Sequence, residues 1–137
     1  MTDLIADLKS NNLKVTPQRL AIYSYLCSTK EHPSAETIYS SLKEDYPNMS
    51  LATVYKTVAS LKNAGLVLEL NVGEDSFRYD ACTKPHAHVV CTRCHKVADY
   101  MGNPLLDKAP ELVEKETGYY IESTQIYFFG LCDACKE

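Results

Sequence analysis

Four of the six cysteines form two C-x-x-C pairs, Cys91 with Cys94 and Cys132 with Cys135, and 37 residues separate the pairs. One short turn can place both sulfurs of such a pair on a single ion, and two turns complete a tetrahedral site. Four sulfurs leave no coordination position for water or a substrate, so the metal in such a site is structural. Redox dithiols or disulfides are the alternative. Two pairs at opposite ends of one short region favour a metal clamp, and we predict a structural Zn2+ on these four cysteines.

A second group of metal-ligating residue types contains no sulfur. His86 and His88 stand two positions apart, so both imidazoles point to the same side of an extended segment. Asp80 precedes them, Asp99 follows them, and His32 lies in the N-terminal half. Nitrogen and carboxylate donors suit iron(II), manganese(II) or zinc. Turn or surface histidines without a ligand role are the alternative. As ligands of one ion, the five residues would fix the angle between the two halves of the chain.

Capping signals predict four helices in the N-terminal half. Thr16 followed by Pro17, and later Ser34 and Ser50, are typical of helix starts, whereas Gly65 is typical of a helix end. Combined with apolar residues at helical spacing, these signals predict helices over residues 2–12, 19–28, 35 to about 45, and 51–63.

The fourth predicted helix has two different faces. Its inward residues are Leu51, Val54, Val58 and Leu61, and its outer residues are Thr53, Lys56, Thr57, Ser60 and Asn63. A strand at 66–72, a turn at 73–75 and a return strand at 76–80 follow. Helices followed by a hairpin predict a winged helix-turn-helix DNA-binding domain over residues 1–81. A purely structural bundle is the alternative, which the polar and basic outer face disfavours.

Residues 82–137 are predicted to form a small α/β, zinc-stabilised dimerisation domain, which makes the whole chain α+β. Short strands are predicted at 88–91 and 97–100, a helix at 104–116 and a long strand at 119–131. The inward face of that helix is predicted to carry Leu105, Leu106, Ala109, Leu112 and Val113. Cys27, alone in the first half, is predicted to lie in the apolar core.

Charge and hydropathy are compatible with a DNA-binding protein of the cytoplasm. The net charge is −4, but residues 1–72 hold seven basic and seven acidic side chains, whereas residues 73–137 hold seven and eleven. DNA binding needs a local basic face and not a basic average. The chain has no apolar run of bilayer length and no signal-peptide pattern at its start, so we expect a cytoplasmic protein.

Two other functional classes compete with DNA binding. A zinc hydrolase or deaminase needs an open zinc position and a general acid/base, as in H-x-E with P-C-x-x-C. Here the sequence His86-Ala87-His88 lacks the glutamate and the four thiolates close their site, so we expect no enzyme. A zinc-stabilised interaction module without DNA binding is disfavoured by the basic and polar residues at 50–57.

The chain resembles the ferric uptake regulator (Fur) superfamily, and most closely its peroxide-sensing branch (PerR). The resemblance spans nearly the whole chain and is carried by LKVTPQR at 13–19, HPSAETIY at 32–39, SLATVYKT at 50–57, RYD at 78–80, HAH at 86–88 and both C-x-x-C pairs.

The resemblance implies a homodimeric repressor whose fourth helix enters the major groove of an AT-rich inverted repeat. Tyr55 and Lys56 match family residues that touch bases and phosphates. Lys14 matches a residue that reaches toward the minor groove, and Ser50 and Thr53 are candidate phosphate partners.

The resemblance also implies Fe2+ or Mn2+ as a regulatory metal on the ligands His32, Asp80, His86, His88 and Asp99. Aspartate at position 99 favours the peroxide-sensing branch, because iron-sensing members usually carry glutamate there. In that branch iron(II) reacts with hydrogen peroxide, oxygen is added to a histidine ligand (by match His32 or His86), and the dimer releases DNA. Manganese at the same site represses but reacts poorly with peroxide.

An iron-responsive or a zinc-responsive repressor without peroxide sensing is the alternative within the superfamily. The further His/Asp-rich site of iron sensors is not expected, since the matching positions are Pro85, Ala87 and Thr124. Cys82 is an unexpected thiol near the sensor residues; it is either a filler or a ligand typical of the zinc-responsive branch. His95 stands where the family usually has glycine.

Overall fold

The structure is a computed structural model that describes residues 3–73, 77–83, 86–101 and 104–137. Its chain divides into two compact units, Met1–Thr83 and Lys84–Glu137. Among the described residues, no helix is both long and apolar enough to cross a bilayer.

Four capped helices build the first unit. They are α1 (Leu4–Ser10), α2 (Pro17–Ser28), α3 (Ala35–Leu42) and α4 (Leu51–Asn63). The side chains of Asp3, Thr16, Ser34 and Ser50 each accept a hydrogen bond from a backbone N–H of the first turn. These bonds satisfy amides that have no partner inside the helix. The caps predicted at Thr16, Ser34 and Ser50 are confirmed.

The ends of α3 and α4 differ in how well the sequence predicts them. Helix α3 stops at Leu42 and not near residue 45, because the exposed residues that follow add nothing to its buried stripe. Helix α4 ends as predicted at Gly65, which has φ of +79°. The N–H of Leu66 then donates to the carbonyl of Leu61 at 3.0 Å, which closes a Schellman-type cap.

The core of the first unit lies where α2, α3 and α4 meet. From α4 it buries Val54, Val58 and Leu61, as predicted, whereas Leu51, also predicted to face inward, is half-buried. Thr57 was predicted on the outer face but is only 6% exposed, because it lies one turn from Val54 and Leu61 on the same stripe. The prediction for Cys27 is also wrong, since this residue is exposed on α2.

A short hairpin follows α4. Strand β1 (Leu68–Leu70) pairs antiparallel with β2 (Arg78–Asp80), and Leu68 lies opposite Asp80. Both strands are shorter than predicted. The predicted turn and the start of the return strand fall partly on residues 74–76, which lie outside the described residues.

In the described part of the second unit, the elements are a three-stranded sheet and one helix. Strand β3 (Ala87–Cys91) lies between β4 (Val97–Tyr100), which is antiparallel to it, and β5 (Ile126–Gly130), which is parallel. The strand predicted at 119–131 is confined to β5. The remaining element is α5 (Pro104–Thr117).

The predicted inward face of α5 is not buried within one chain. Leu105, Leu112 and Val113 are 75%, 60% and 45% exposed. Periodicity had indicated correctly that one face of this helix is apolar, but not that the chain itself leaves that face uncovered.

Candidate metal centres and DNA interface

The two C-x-x-C pairs converge at one edge of the second unit. Cys91 ends β3 and pairs in register with Gly130, the last residue of the adjacent parallel β5. The turns Cys91–Cys94 and Cys132–Cys135, called the first and second knuckle below, therefore start at the same edge. The four sulfurs lie within 4.8 Å of one another, and the Sγ atoms of Cys94 and Cys132 are 3.8 Å apart. A tetrahedron with zinc–sulfur bonds near 2.3 Å has edges of about 3.8 Å. The geometry fits zinc.

Hydrogen bonds within the four-sulfur cluster also shift the pKa values of its thiols. The backbone N–H groups of Cys94 and Cys132 donate to Sγ of Cys91 at 3.5 and 3.4 Å. These bonds lower the pKa of Cys91 to about 5. The pKa of Cys135 rises to about 12, mainly because its thiol hydrogen-bonds to Cys132. A bound divalent ion would leave all four sulfurs deprotonated.

The residues between Cys91 and Cys94 hold the second knuckle in place. The guanidinium of Arg93 donates to the backbone carbonyl of Cys135 at 2.6 Å. The backbone N–H of Thr92 donates to the carbonyl of Gly130 at 2.8 Å. His95 closes the first turn with φ of +64°, a left-handed conformation that explains why glycine is usual at its position.

In the second unit, His86 and His88 both approach one carboxylate. Oδ1 of Asp99 lies 3.0 Å from Nε2 of His86 and 3.4 Å from Nε2 of His88. The cause is strand register: His88 lies directly opposite Asp99 in the β3–β4 pair, and His86 is two residues before it on the same side. The two rings are 4.4 Å apart. Three predicted ligands are therefore grouped here.

In the first unit, the other two predicted ligands form a buried pair. Nε2 of His32 lies 3.4 Å from Oδ2 of Asp80, and the two residues are 2% and 8% exposed. Backbone bonding places them: the N–H of Tyr79 donates to the carbonyl of Pro33 at 3.0 Å. His32 has φ of +55°, an uncommon conformation for a non-glycine residue and one that is enriched at functional sites.

Asp80 also contacts the neighbouring Cys82. Its Oδ1 atom accepts the backbone N–H of Cys82 at 2.9 Å, and Cys82 is half-buried. This bond engages one carboxylate oxygen of Asp80, whereas the other oxygen, Oδ2, lies beside His32.

The predicted DNA contacts lie on the surface of the first unit. Lys14, Ser50, Tyr55 and Lys56 are exposed, and Thr53 is half-buried. Oγ of Ser50 accepts the backbone N–H of Thr53 at 3.1 Å, so the predicted phosphate partners also form the N-cap of α4.

One contact on this surface was not predicted. The hydroxyl of Tyr55 donates to Oε1 of Glu36, in the first turn of α3. The bond lowers the pKa of Glu36 and raises that of Tyr55. The two residues are 19 positions apart on different helices, and no sequence signal links them.

A capped helical core, a helix with an exposed polar and basic face and a following hairpin define the winged-helix class of DNA-binding regulators. The second unit adds clusters of metal-ligating side chains to this class. Residues 10–129 match the model of the ferric uptake regulator family. The chain belongs to that family, and the predicted family and α+β fold class are confirmed.

Individual relatives include peroxide-responsive regulators. The peroxide-responsive repressor PerR of Staphylococcus saprophyticus is 36% identical over 137 residues, which cover 100% of this chain and 92% of the relative. The solved Campylobacter jejuni peroxide stress regulator has a TM-score of 0.79 and 36% identity, with 98% and 100% coverage. The Helicobacter pylori ferric uptake regulator Fur superposes with a TM-score of 0.82 at 25% identity, with 99% and 95% coverage.

Proposed function

We propose that this protein is a metal-dependent, peroxide-responsive transcriptional repressor that binds AT-rich inverted repeats as a homodimer in the cytoplasm. The observation that carries the proposal is 36% identity to a peroxide-responsive repressor over the whole chain. Aspartate at position 99 agrees with this branch, and it lies beside two histidines. We assign the protein to the regulators and not to the enzymes, because the family model that it matches and its relatives are those of regulators.

DNA binding is assigned to the first unit, residues 1–81 in our prediction. Helix α4 would enter the major groove, with Tyr55 and Lys56 at the bases and phosphates. Ser50 and Thr53 would meet phosphates at the N-terminus of α4, where backbone N–H groups favour anions. The exposed Lys14 would reach the adjacent minor groove.

Dimerisation and structural zinc are assigned to the second unit, residues 82–137. Its exposed apolar side chains support a dimer interface: Leu105, Leu112, Tyr119, Tyr120 and Phe129 are all at least 57% exposed. Exposure of several large apolar side chains on one small unit favours a protein–protein contact. Zinc on the four cysteines would hold this surface in shape.

The regulatory ion is assigned to His32, Asp80, His86, His88 and Asp99. Three nitrogens and two carboxylates fit Fe2+ or Mn2+, which accept such mixed donors. Iron(II) held there would supply redox chemistry toward hydrogen peroxide, and the ring of His32 or His86 would gain one oxygen atom as the peroxide is reduced to water. Two of the donors belong to the first unit, which is assigned the DNA contacts, and three belong to the second unit. We therefore propose that an ion held by all five couples metal binding to DNA binding, so that the two affinities rise and fall together.

An iron- or zinc-responsive repressor without peroxide sensing is the second candidate. The half-buried Cys82, whose N–H bonds to Asp80, favours the zinc-responsive form, since a thiolate would select zinc. Similarity to the Helicobacter pylori Fur structure favours the iron-responsive form.

One set of binding measurements separates these functions. DNA affinity is measured by fluorescence anisotropy with an AT-rich inverted repeat, using protein loaded with iron, manganese or zinc, with and without hydrogen peroxide. We expect binding with iron or manganese, and peroxide-driven release only with iron. Iron-loaded protein that gains no oxygen and releases DNA only on chelation would point to iron sensing. Binding with zinc alone would point to the zinc-responsive form.

A further inference from the structure

The hydrogen bond between Tyr55 and Glu36 joins the two helices that face DNA in a helix-turn-helix. Tyr55 stands on α4 and is 44% exposed, so its ring is available to a duplex. Its hydroxyl donates a hydrogen bond to Oε1 of Glu36 instead of to water.

Glu36 is itself held in place by the start of α3. It occupies the first turn after the capping residue Ser34, where the helix dipole favours a negative charge. Its pKa lies below the usual value because the Tyr55 hydroxyl and its own backbone N–H both donate to it. The carboxylate is therefore charged at neutral pH.

The surroundings of the pair are also fixed. Nζ of Lys62 on α4 lies 3.0 Å from Oε1 of Glu69 on β1, and Oε2 of Glu69 accepts the hydroxyl of Tyr79 on β2 at 3.3 Å. These bonds tie the hairpin to α4. Among the described residues, the side-chain hydrogen bond that the structure gives Tyr55 is the one to Glu36.

A charged carboxylate on this surface has two opposite effects on DNA binding. It repels phosphates, which weakens the sequence-independent part of binding. It also orders an aromatic side chain before the duplex arrives, so that less conformational freedom is lost on binding. The second effect favours only a duplex whose groove fits the ring in that orientation.

We propose that Glu36 is a specificity-determining positioning residue: its charge weakens binding to all DNA, and by holding Tyr55 in one orientation it restores affinity for the operator alone. This inference rests on the proposed function. It assigns Glu36 a role through Tyr55 and not through contact with the duplex.

Three variants of the full-length, manganese-loaded protein separate the two effects. In Glu36→Gln an amide oxygen still accepts the Tyr55 hydroxyl, but the charge is gone. In Glu36→Ala both are gone, and in Tyr55→Phe only the hydroxyl is lost. Glu44→Ala is the matched control, because it removes another exposed carboxylate just beyond α3.

Affinities are measured for a duplex that the wild-type protein selects from a randomised pool and for a scrambled duplex of equal composition. We expect Glu36→Ala to reduce the preference for the selected over the scrambled duplex about threefold to tenfold, the range that corresponds to ordering one side chain. Glu36→Gln should keep that preference and bind both duplexes more tightly, because the repulsion that it removes does not depend on sequence. Tyr55→Phe should reduce the preference as much as Glu36→Ala does, and the double variant should reduce it no further.

The inference is overturned if Glu36→Ala keeps the wild-type preference for the selected duplex, if the two single losses of preference add in the double variant, or if Glu44→Ala gives the same change. Circular dichroism of each variant checks that the helices are intact, and the exposed Glu36→Gln variant carries the test if Glu36→Ala is unfolded. Wild-type protein that selects no duplex would overturn the proposed function and this inference with it, whereas selective wild-type binding with unchanged variants overturns the inference alone.

Discussion

Replacement of Cys94 by serine removes one of the four sulfurs while leaving a side chain of similar size. Cys94 is the exposed member of the cluster, so the substitution creates no cavity in the core. Its sulfur lies 3.8 Å from that of Cys132. Because a neutral hydroxyl is a much poorer zinc ligand than a thiolate, the ion would lose one of the two bonds that hold it to the Cys91–Cys94 turn.

The size of the effect follows from how little else stabilises the second unit. Among its described residues, the buried apolar side chains are Ala87, Val90, Cys91 and Val97. Burial of the two valines contributes about 3–6 kcal/mol. A structural zinc ion contributes roughly 10–16 kcal/mol in comparable sites. We therefore expect Cys94→Ser to unfold the second unit or to leave the protein monomeric.

Three measurements on the purified variant check this expectation. Zinc content by mass spectrometry should fall, light scattering should report loss of the dimer, and limited proteolysis should cut within residues 84–137 while the first unit survives. Cys27→Ser, an exposed thiol on α2, is the control and should behave as the wild type does. A zinc-free Cys94→Ser protein that stays folded and dimeric would refute the reasoning.

Further outcomes are expected from the same contacts. Arg93→Ala removes the 2.6 Å bond to the second knuckle and should speed zinc transfer to a chromogenic chelator, unlike the exposed control Lys96→Ala; equal rates would count against the clamp. Gly65→Ala places a side chain in open space at φ of +79°, so backbone strain alone should cost about 1–2 kcal/mol. Calorimetry should then show the first unit melting about 4–8 °C lower per kcal/mol; an unchanged Tm would contradict this. Iron-loaded protein treated with peroxide should gain one oxygen on the peptide that holds His32 or His86, as measured by peptide mass spectrometry. Oxygen found on a different peptide would contradict the assignment of these two histidines as the oxidised ligands.

Local signals in the sequence predicted the first unit well. Thr16, Ser34 and Ser50 cap helices because their side chains bond amides three residues away, which is an interaction within one short peptide. The left-handed end at Gly65 is equally local. Prediction failed at Thr57, where the width of the buried stripe depends on what packs against α4.

The second unit was predicted less well because its structure depends on long-range partners. Residues 119–121 are aromatic or β-branched, which favours a strand, yet only Ile126–Gly130 pair with β3. Leu105 and Leu112 belong to an apolar face that a single chain leaves exposed. Periodicity identifies an apolar face but not the molecule that covers it.

Among the candidate sites too, local spacing was predictive and contacts between separate elements were not. The spacing of the C-x-x-C pairs predicted a cluster that the structure brings together, since ligand chemistry leaves few other arrangements. The pairing of Glu36 with Tyr55 could not be predicted, because it depends on how α3 and α4 pack.

The central claim is that an ion on the histidine and aspartate ligands controls DNA affinity. Its most direct test is the manganese dependence of operator binding for the wild type and for the double variant His86→Ala/His88→Ala, with zinc content and dimer state verified. We predict that manganese strengthens binding by the wild type, whereas the double variant binds weakly at every manganese concentration. A double variant that keeps tight binding and ignores manganese would contradict the account.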